Sequence, residues 1–543
     1  MRNGTTTAMG KDPDPLAVGL ELATKLPMDK LTYYSIGPTC DDPIRRHEVA
    51  IYRHRSVNNV MDPAATATVG PLLLTLRVPC KDFMAQHRGV GRDAYRYCDR
   101  EKRCREPTGR WEVEMEARVI SKVSRRIIPF VALCYFLSYL DRVNVGFAAL
   151  QMNNDLGFTA TMFGWGAGIF FFGYFFFEVP SNLALERFGA RLWIARIMVT
   201  WGLLSVGMAL IWNAASFLVV RFLLGAAEAG FFPGIMLFLT YWFPSHYRAR
   251  MVGRFIASIP ISTVIGAPLS GWILGLDGVW ALKGWQWMFI LEGLPTVLVG
   301  FVALFYLTDG PEKAHWLATD ERDWLVDRLR RERMVREAHA RHSLWEALTH
   351  PRVLVLSVVY FGSPAGAYAL SFWLPTIIKD FGVGNLQTGL ITAIPYVIGT
   401  VSVVTWPLIS DRMHERKWNT ALAFLVTAAG LAASTYFPEP VPKITALSMC
   451  AIGLFASAAL FWTLPTAFLS GTAAAGGIAL INSIGNLAGF VAPYAIGYLK
   501  DATGGYTVGL LTVAFFPFLS AVLVLMLGHN PALERSAISE AAR

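Results

Sequence analysis

Along most of this chain apolar residues neither alternate nor recur every three to four positions; they run on. From residue 126 onward, long hydrophobic stretches succeed one another, separated by short polar breaks. A helix needs about 20 apolar residues to cross a bilayer core about 30 Å thick, so such stretches predict membrane helices. Twelve are predicted, over 126–150, 160–184, 191–212, 214–240, 253–277, 286–308, 352–377, 388–410, 419–437, 443–466, 475–499 and 508–528. The segment 309–351 is charged instead, and in it Thr319 or Asp320 can cap a helix that brings Trp324, Leu325 and Leu329 to one face. That pattern predicts an amphipathic linker helix lying along the membrane. Residues 1–114 show no sustained period, and their longest apolar run, around 69–78, is too short to span. They are expected to be an irregular or disordered extension, and the change of character at Met115 marks a candidate start of the functional protein. The expected organisation is therefore an extension (1–114), a six-helix bundle (115–308), a linker (309–351), a second six-helix bundle (352–528) and a tail (529–543).

Composition supports this reading, with 54% of residues hydrophobic and 16% charged, against about a quarter charged in soluble domains. The net charge of +9 does not point to nucleic acid, because the basic residues sit in short groups between apolar runs. One set of alternate loops holds Arg187, Arg191, Arg248, Arg250, Arg254, the Arg-rich linker, Arg412, Arg416 and Lys417, whereas the other holds little beyond Lys283, Lys379, Lys443 and Lys500. The positive-inside rule makes the first set cytoplasmic, with both termini on that side, although the loop 469–476 on that side carries no positive charge. The six cysteines form no CxxC pair, and neither a zinc site nor a disulfide framework is expected. HExxH, GxSxG and GxxxxGK[ST] are all missing from the sequence, which argues against an enzyme and gives no reason to expect a cofactor or metal.

The halves repeat. Glu186, Arg187 and Arg191 in the loop after the second helix align with Asp411, Arg412 and Arg416 after the eighth at an offset of 225 residues, and the same offset carries Ala267-Pro268 onto Ala492-Pro493. Two matches at one spacing predict duplicated bundles around a central site that is opened to either side by rocking.

Four ionisable residues interrupt the apolar runs at depth: Asp141 and Arg142 in the first helix, Arg221 and Glu228 in the fourth. Each costs roughly 2.5–3.5 kcal/mol at the bilayer centre, so they must be paired or hydrated. At about 1.5 Å per residue, Asp141 stands roughly 21 Å above the cytoplasmic entry of its helix, while Arg221 lies about 10 Å below the outer face, so the two heights agree. Arg221 and Glu228 are seven apart, nearly on one face, and Asp141 and Arg142 diverge by about 100° around theirs. An arginine facing a cavity suits an organic anion, since its planar fork matches a carboxylate. Tyr139, Tyr360, Tyr368, Trp373, Trp462, Asn482 and Asn486 are further candidates to line the cavity; Asn482 and Asn486 share a helix face. Glu178 and Glu292 stand beside Pro180 and Pro295 and are expected to make helix-end or loop contacts.

The motifs YLDRVNVGFA, EVPSNLALERFGAR, RFLLGAAEAGFFPG and YWFPSHYRARMVG make the chain from about 121 to 528 resemble a major facilitator superfamily transporter, and within it the anion:cation symporter family of tartrate, sugar-acid, phthalate and hydroxyphenylacetate permeases. The resemblance implies an all-α fold of twelve transmembrane helices in two pseudo-symmetric bundles. It further implies a monomer in the bacterial inner (plasma) membrane that takes up an organic anion with protons. Asp141 and Glu228 would couple protons, Arg142 and Arg221 would serve substrate or charge balance, with Asn482, Asn486, Tyr139 and Tyr368 beside them. The six loop residues Glu186, Arg187, Arg191, Asp411, Arg412 and Arg416 would gate the cytoplasmic side. An exporter, a facilitator and a transporter-like sensor are the alternatives.

Overall fold

The computed structural model describes residues 31–35, 47–53, 76–78, 109–339, 350–413, 415–466 and 471–527. The expected tail, most of the N-terminal extension, residues 340–349 of the linker and residues 469–470 of the uncharged loop lie outside the described residues. The chain divides into Met1–Glu106 and Pro107–Arg543. In the first unit, β1 (Leu31–Ser35), β2 (His47–Arg53) and β3 (Leu76–Val78) form an antiparallel sheet in that order. The tyrosines and β-branched residues of these segments suit strands.

The second unit is helical. Its first half comprises α1 (Gly109–Leu156), α2 (Ala160–Phe188), α3 (Ala190–Gly207), α4 (Ala214–Glu228) continued by α5 (Phe231–Trp242), α6 (Ser245–Ile256) continued by α7 (Ser258–Ile273), and α8 (Gly284–Tyr306). The linker helix α9 (Thr319–His339) follows, with Leu325 buried and Trp324 and Leu329 packed on the core. The second half comprises α10 (Pro351–Lys379), α11 (Asn385–Met413), α12 (Lys417–Ala433), α13 (Pro440–Phe461), α14 (Gly471–Asn486) continued by α15 (Ala488–Thr503), and α16 (Thr507–Met526). Among the described residues, eleven stretches are long and apolar enough to cross a membrane. The twelfth span is α12, a helix of 17 residues.

The packing repeats as the sequence does. α3 lies against α8 as α12 lies against α16; α2 meets α4 as α11 meets α13; α1 contacts α7 and α8 as α10 contacts α14 and α16. Between the halves, α7 crosses α11 and α2 crosses α15. These crossings depend on glycine. A Cβ on Gly389 would stand 2.3 Å from the Ala267 carbonyl oxygen, and one on Gly164 would stand 2.5 Å from that of Pro493. The four positions form two pairs at the sequence offset of 225 or within one residue of it, so the same close backbone approach is built twice. At the end away from the linker, Asp501 of α15 accepts hydrogen bonds from the backbone N–H of Ala160 and Thr161, at 3.1 and 2.7 Å, and from the Thr161 hydroxyl at 2.6 Å. It caps the first turn of α2 from the opposite half, closing that end of the bundle.

Two local expectations are corrected. The fourth span is not one helix: α4 stops at Glu228, and Gly230 at φ +83° starts α5. A side chain there would meet Ser181 Oγ at 2.4 Å, so glycine is required for conformation and for space. Conversely, Glu178 and Glu292 are not at helix ends, because α2 and α8 run through Pro180 and Pro295. Proline is tolerated inside membrane helices where neighbouring groups satisfy the freed carbonyl.

Candidate functional site

Ser138 and Arg142 are one turn apart on α1 and reach the same target. Glu228, the last residue of α4, accepts through Oε1 from Ser138 Oγ at 2.7 Å and forms an ion pair with Arg142 Nη2. Arg142 Nη1 donates to the Tyr368 hydroxyl on α10 at 3.2 Å, so one guanidinium joins the two halves. The rings of Tyr139, Phe170 and Tyr174 surround it at 5.5, 5.4 and 5.7 Å from ring centre to guanidinium carbon. Its shielded Nε has no hydrogen-bond partner. Arginine cannot shed its charge, so Arg142 needs an anionic partner wherever it is shielded from water. Neutralising Glu228 would release a guanidinium with donors to spare, poised between aromatic walls and already touching both bundles.

A second link crosses the halves nearby. Asn482 Nδ2 and Ser483 Oγ of α14 each donate to the Glu178 carboxylate of α2 at 3.3 Å. Tyr174 lies one turn before Glu178, which places the acid on the face of α2 that also meets Arg142. Asn486, one turn beyond Asn482, is half-buried. Tyr360 stacks on Phe461 and tilts over Trp462, with ring centres 4.9 and 4.8 Å away, while Trp373 packs edge-on against Phe163 at 5.3 Å. Those three aromatics have packing partners.

The structure does not bring every candidate to this point. Arg221 is buried with its Nε and Nη2 donating to the carbonyls of Gly166 and Ala167 on α2, both at 3.1 Å, and it lies over Phe170 at 5.0 Å. It staples α4 to α2 and does not pair with Asp141. Asp141 in turn accepts from Ser205 of α3 at 2.9 Å and from Thr296 of α8 at 3.0 Å. The 100° between neighbouring helix positions explains the split: Arg142 looks toward α4 and α10, Asp141 into the first bundle. One turn from Thr296, Glu292 accepts from Ser270 at 2.7 Å, and its second oxygen, like both amide atoms of buried Asn144, lacks a partner. Asp141, Asn144 and Glu292 thus form a polar seam inside the first bundle, in which no basic side chain among the described residues bonds to either carboxyl.

The loop residues are also unequal. Arg416 pairs with Asp411 at 3.2 Å. In the first half, the backbone N–H of Arg191 donates to Asp309 at 3.0 Å, beside Gly189 at φ +89°, while Glu186 and Arg187 are exposed and the Arg187 guanidinium sits 5.7 Å from the Phe188 ring centre. Arg412 lies on the exposed end of α11. Sequence reasoning missed Ser138, Tyr174, Ser483 and the role of Glu178. The available signal was Glu178 itself, an acid in the apolar run FFGYFFFEVP.

Known proteins place this arrangement. The chain is 51% identical over 417 residues, covering 77% of it and 93% of the relative, to a "Putative tartrate transporter" of Agrobacterium vitis. It is 43% identical over 413 residues to a "Quinolone resistance transporter" of Acinetobacter baumannii, covering 76% and 94% of the two chains, and 42% identical over 410 residues to the "Putative metabolite transport protein NicT" of Pseudomonas putida, covering 75% and 94%. Among solved structures, a bacterial homologue of the lysosomal transporter Spinster, inward-facing and unoccupied, matches with a TM-score of 0.62 at 16% identity, covering 77% of this chain and 98% of that one. The partially occluded, inward-open xylose transporter XylE of Escherichia coli matches at 0.61 and 15% identity, covering 75% and 98%. The family model described as Major Facilitator Superfamily matches residues 131–493. The chain belongs to the major facilitator superfamily and is a membrane transporter, not an enzyme.

Proposed function

We propose that this transporter takes up a small organic anion together with protons across the bacterial inner membrane, and that hydroxy dicarboxylates of the tartrate type are its substrate class. The observation that carries the reading is Arg142, a buried guanidinium held by a carboxylate from one helix and a phenol from the opposite half. The name of the relative in Agrobacterium vitis supports an organic anion, and that of the relative in Pseudomonas putida a metabolite. When Glu228 is protonated its hold on Arg142 weakens, and a substrate carboxylate takes the freed donors; Tyr139, Tyr368, Asn482 and Asn486 supply the remaining contacts. Rocking then requires Asp501 to release the start of α2 and the Gly164 and Gly389 crossings to part. On the cytoplasmic side, where the linker and both termini lie, loss of the proton restores the Arg142–Glu228 pair and expels the anion. Asp141, held by two hydroxyls, is a second proton carrier, and the Asp411–Arg416 pair with the Glu186, Arg187, Arg191 and Arg412 loops gates that side. All these groups come from one chain, so a monomer suffices.

The 43% identity to a quinolone resistance transporter favours one other reading, export of an aromatic acid. A thermal-shift panel on purified protein separates the two. A ligand at about 100 times its Kd stabilises by about 2.7 kcal/mol. Tartrate and related dicarboxylates are expected to raise the Tm by several degrees, with the effect missing in Arg142→Ala. A shift by quinolones and none by carboxylates would replace uptake of hydroxy acids with drug export.

A further inference from the structure

Where α1, the end of α8 and the linker meet, Arg118, Lys122, Arg125, Arg126, Tyr306 and Trp316 line a crevice of about 530 Å³. We propose that this crevice is a binding site for an anionic phospholipid, with the headgroup phosphate held by Arg125 and Arg126. Four cations fall within nine residues of α1 at its entry into the membrane. Two are partly engaged: Lys122 bonds Glu321 at 2.7 Å, and Arg118 stands 3.6 Å from Glu321 and 3.8 Å from Asp320. Among the described residues, neither Arg125 nor Arg126 has a carboxylate partner. Two acids against four cations leave the crevice positive.

The site is built and not merely charged. Arg126 lies 4.7 Å from the Tyr306 ring centre and 5.0 Å from that of Trp316, and the Tyr306 hydroxyl donates to the Arg126 carbonyl at 3.0 Å. Two aromatic rings thus fix one guanidinium, leaving its fork for a phosphate. The shielded indole N–H of Trp316 has no acceptor. Tyrosine, tryptophan and arginine together mark the headgroup level of a bilayer, where basic pockets at helix junctions recognise anionic headgroups.

Free phosphate would satisfy the same charges, and the neighbouring surface distinguishes the two sources. From Tyr306 along α8, Phe305 (87% exposed), Phe301 (51%) and Leu298 (58%) form an exposed apolar stripe, and on α1 Leu133 (44%) lies two turns from Arg125 on the same face. An acyl chain leaving the crevice at Tyr306 has exposed apolar surface beginning at the next residue; an inorganic ion has no use for it.

Native mass spectrometry of the full-length protein tests the site, with phosphatidylglycerol, phosphatidylcholine and inorganic phosphate as the probes. Phosphatidylglycerol is expected to remain bound where phosphatidylcholine is lost. Arg125→Gln, at an exposed position with no packing role, should weaken it about 5-fold, and Arg125→Gln with Arg126→Gln about 30-fold, as expected for one and two charges at an anionic surface. Equal retention of phosphatidylglycerol by Arg125→Gln and the double variant would overturn the proposal. So would inorganic phosphate that binds alone and displaces phosphatidylglycerol at equal concentration.

Discussion

Glu228→Gln is expected to leave the transporter able to exchange substrate across a liposome membrane while abolishing accumulation driven by a pH gradient. Glutamine has nearly the same shape, and its carbonyl oxygen still accepts from Ser138 and Arg142, so the junction of α1 and α4 stays hydrogen-bonded. It carries no charge and cannot exchange a proton. Each coupled proton supplies about 1.4 kcal/mol per pH unit, a tenfold accumulation; in the variant that ratio falls toward one. The competitor for Arg142 is permanently weakened, so substrate affinity should become nearly independent of pH, where the native protein loses affinity as pH rises. Counterflow and gradient-driven uptake, measured on the same vesicles, check both halves of the expectation. Native accumulation by the variant would remove Glu228 from coupling.

Arg142→Lys is expected to weaken substrate binding on the order of 100-fold although the charge is kept. Hydrogen bonds to charged groups contribute about 1.5–3 kcal/mol, and lysine's single ammonium cannot bond Tyr368 while offering a substrate carboxylate the planar pair of donors that Glu228 gives up. Arg142→Ala should be worse, because it strands Glu228 in a buried setting, where loss of one partner costs about 3–5 kcal/mol. Arg221 gives the internal contrast. Its donors are spent on the Gly166 and Ala167 carbonyls, so Arg221→Lys should lower the Tm while leaving the affinity of the folded protein within a few-fold of native. Binding and melting measured on the two lysine variants resolve the roles. An Arg221 variant that melts normally and loses substrate would reverse the assignment.

These two arginines also show how much the chain reveals before it is folded. The bilayer demands a fixed length of apolar helix, so the twelve spans and the duplicated halves could be read from residue order. Height along an axis is a matter of counting. Rotation is not: the Arg142 and Arg221 guanidiniums both lie over the Phe170 ring, yet one looks toward the junction of the halves and the other into α2. The break at Ala229-Gly230 decides where Glu228 ends up, and it is produced by the fit of Gly230 against Ser181, residues 49 apart in sequence. Pro180 and Pro295 misled in the opposite direction, because a membrane helix tolerates an internal proline and both helices run on through theirs. At Asp141 and Glu228 the proposed coupling roles come from the motif resemblance and not from spacing. The glycine crossings could have been anticipated: Gly164 and Gly389 share the offset that aligns the two proline motifs.

Proton movement on addition of substrate tests coupled uptake most directly. Purified protein is reconstituted into lightly buffered liposomes, and tartrate is added outside while external pH is followed. Transport of anion with protons predicts a rise in external pH that tracks tartrate entry, grows with an inward proton gradient and disappears in Glu228→Gln. Tartrate entry at an undiminished rate with no change in external pH, and with no response to the gradient, would contradict it.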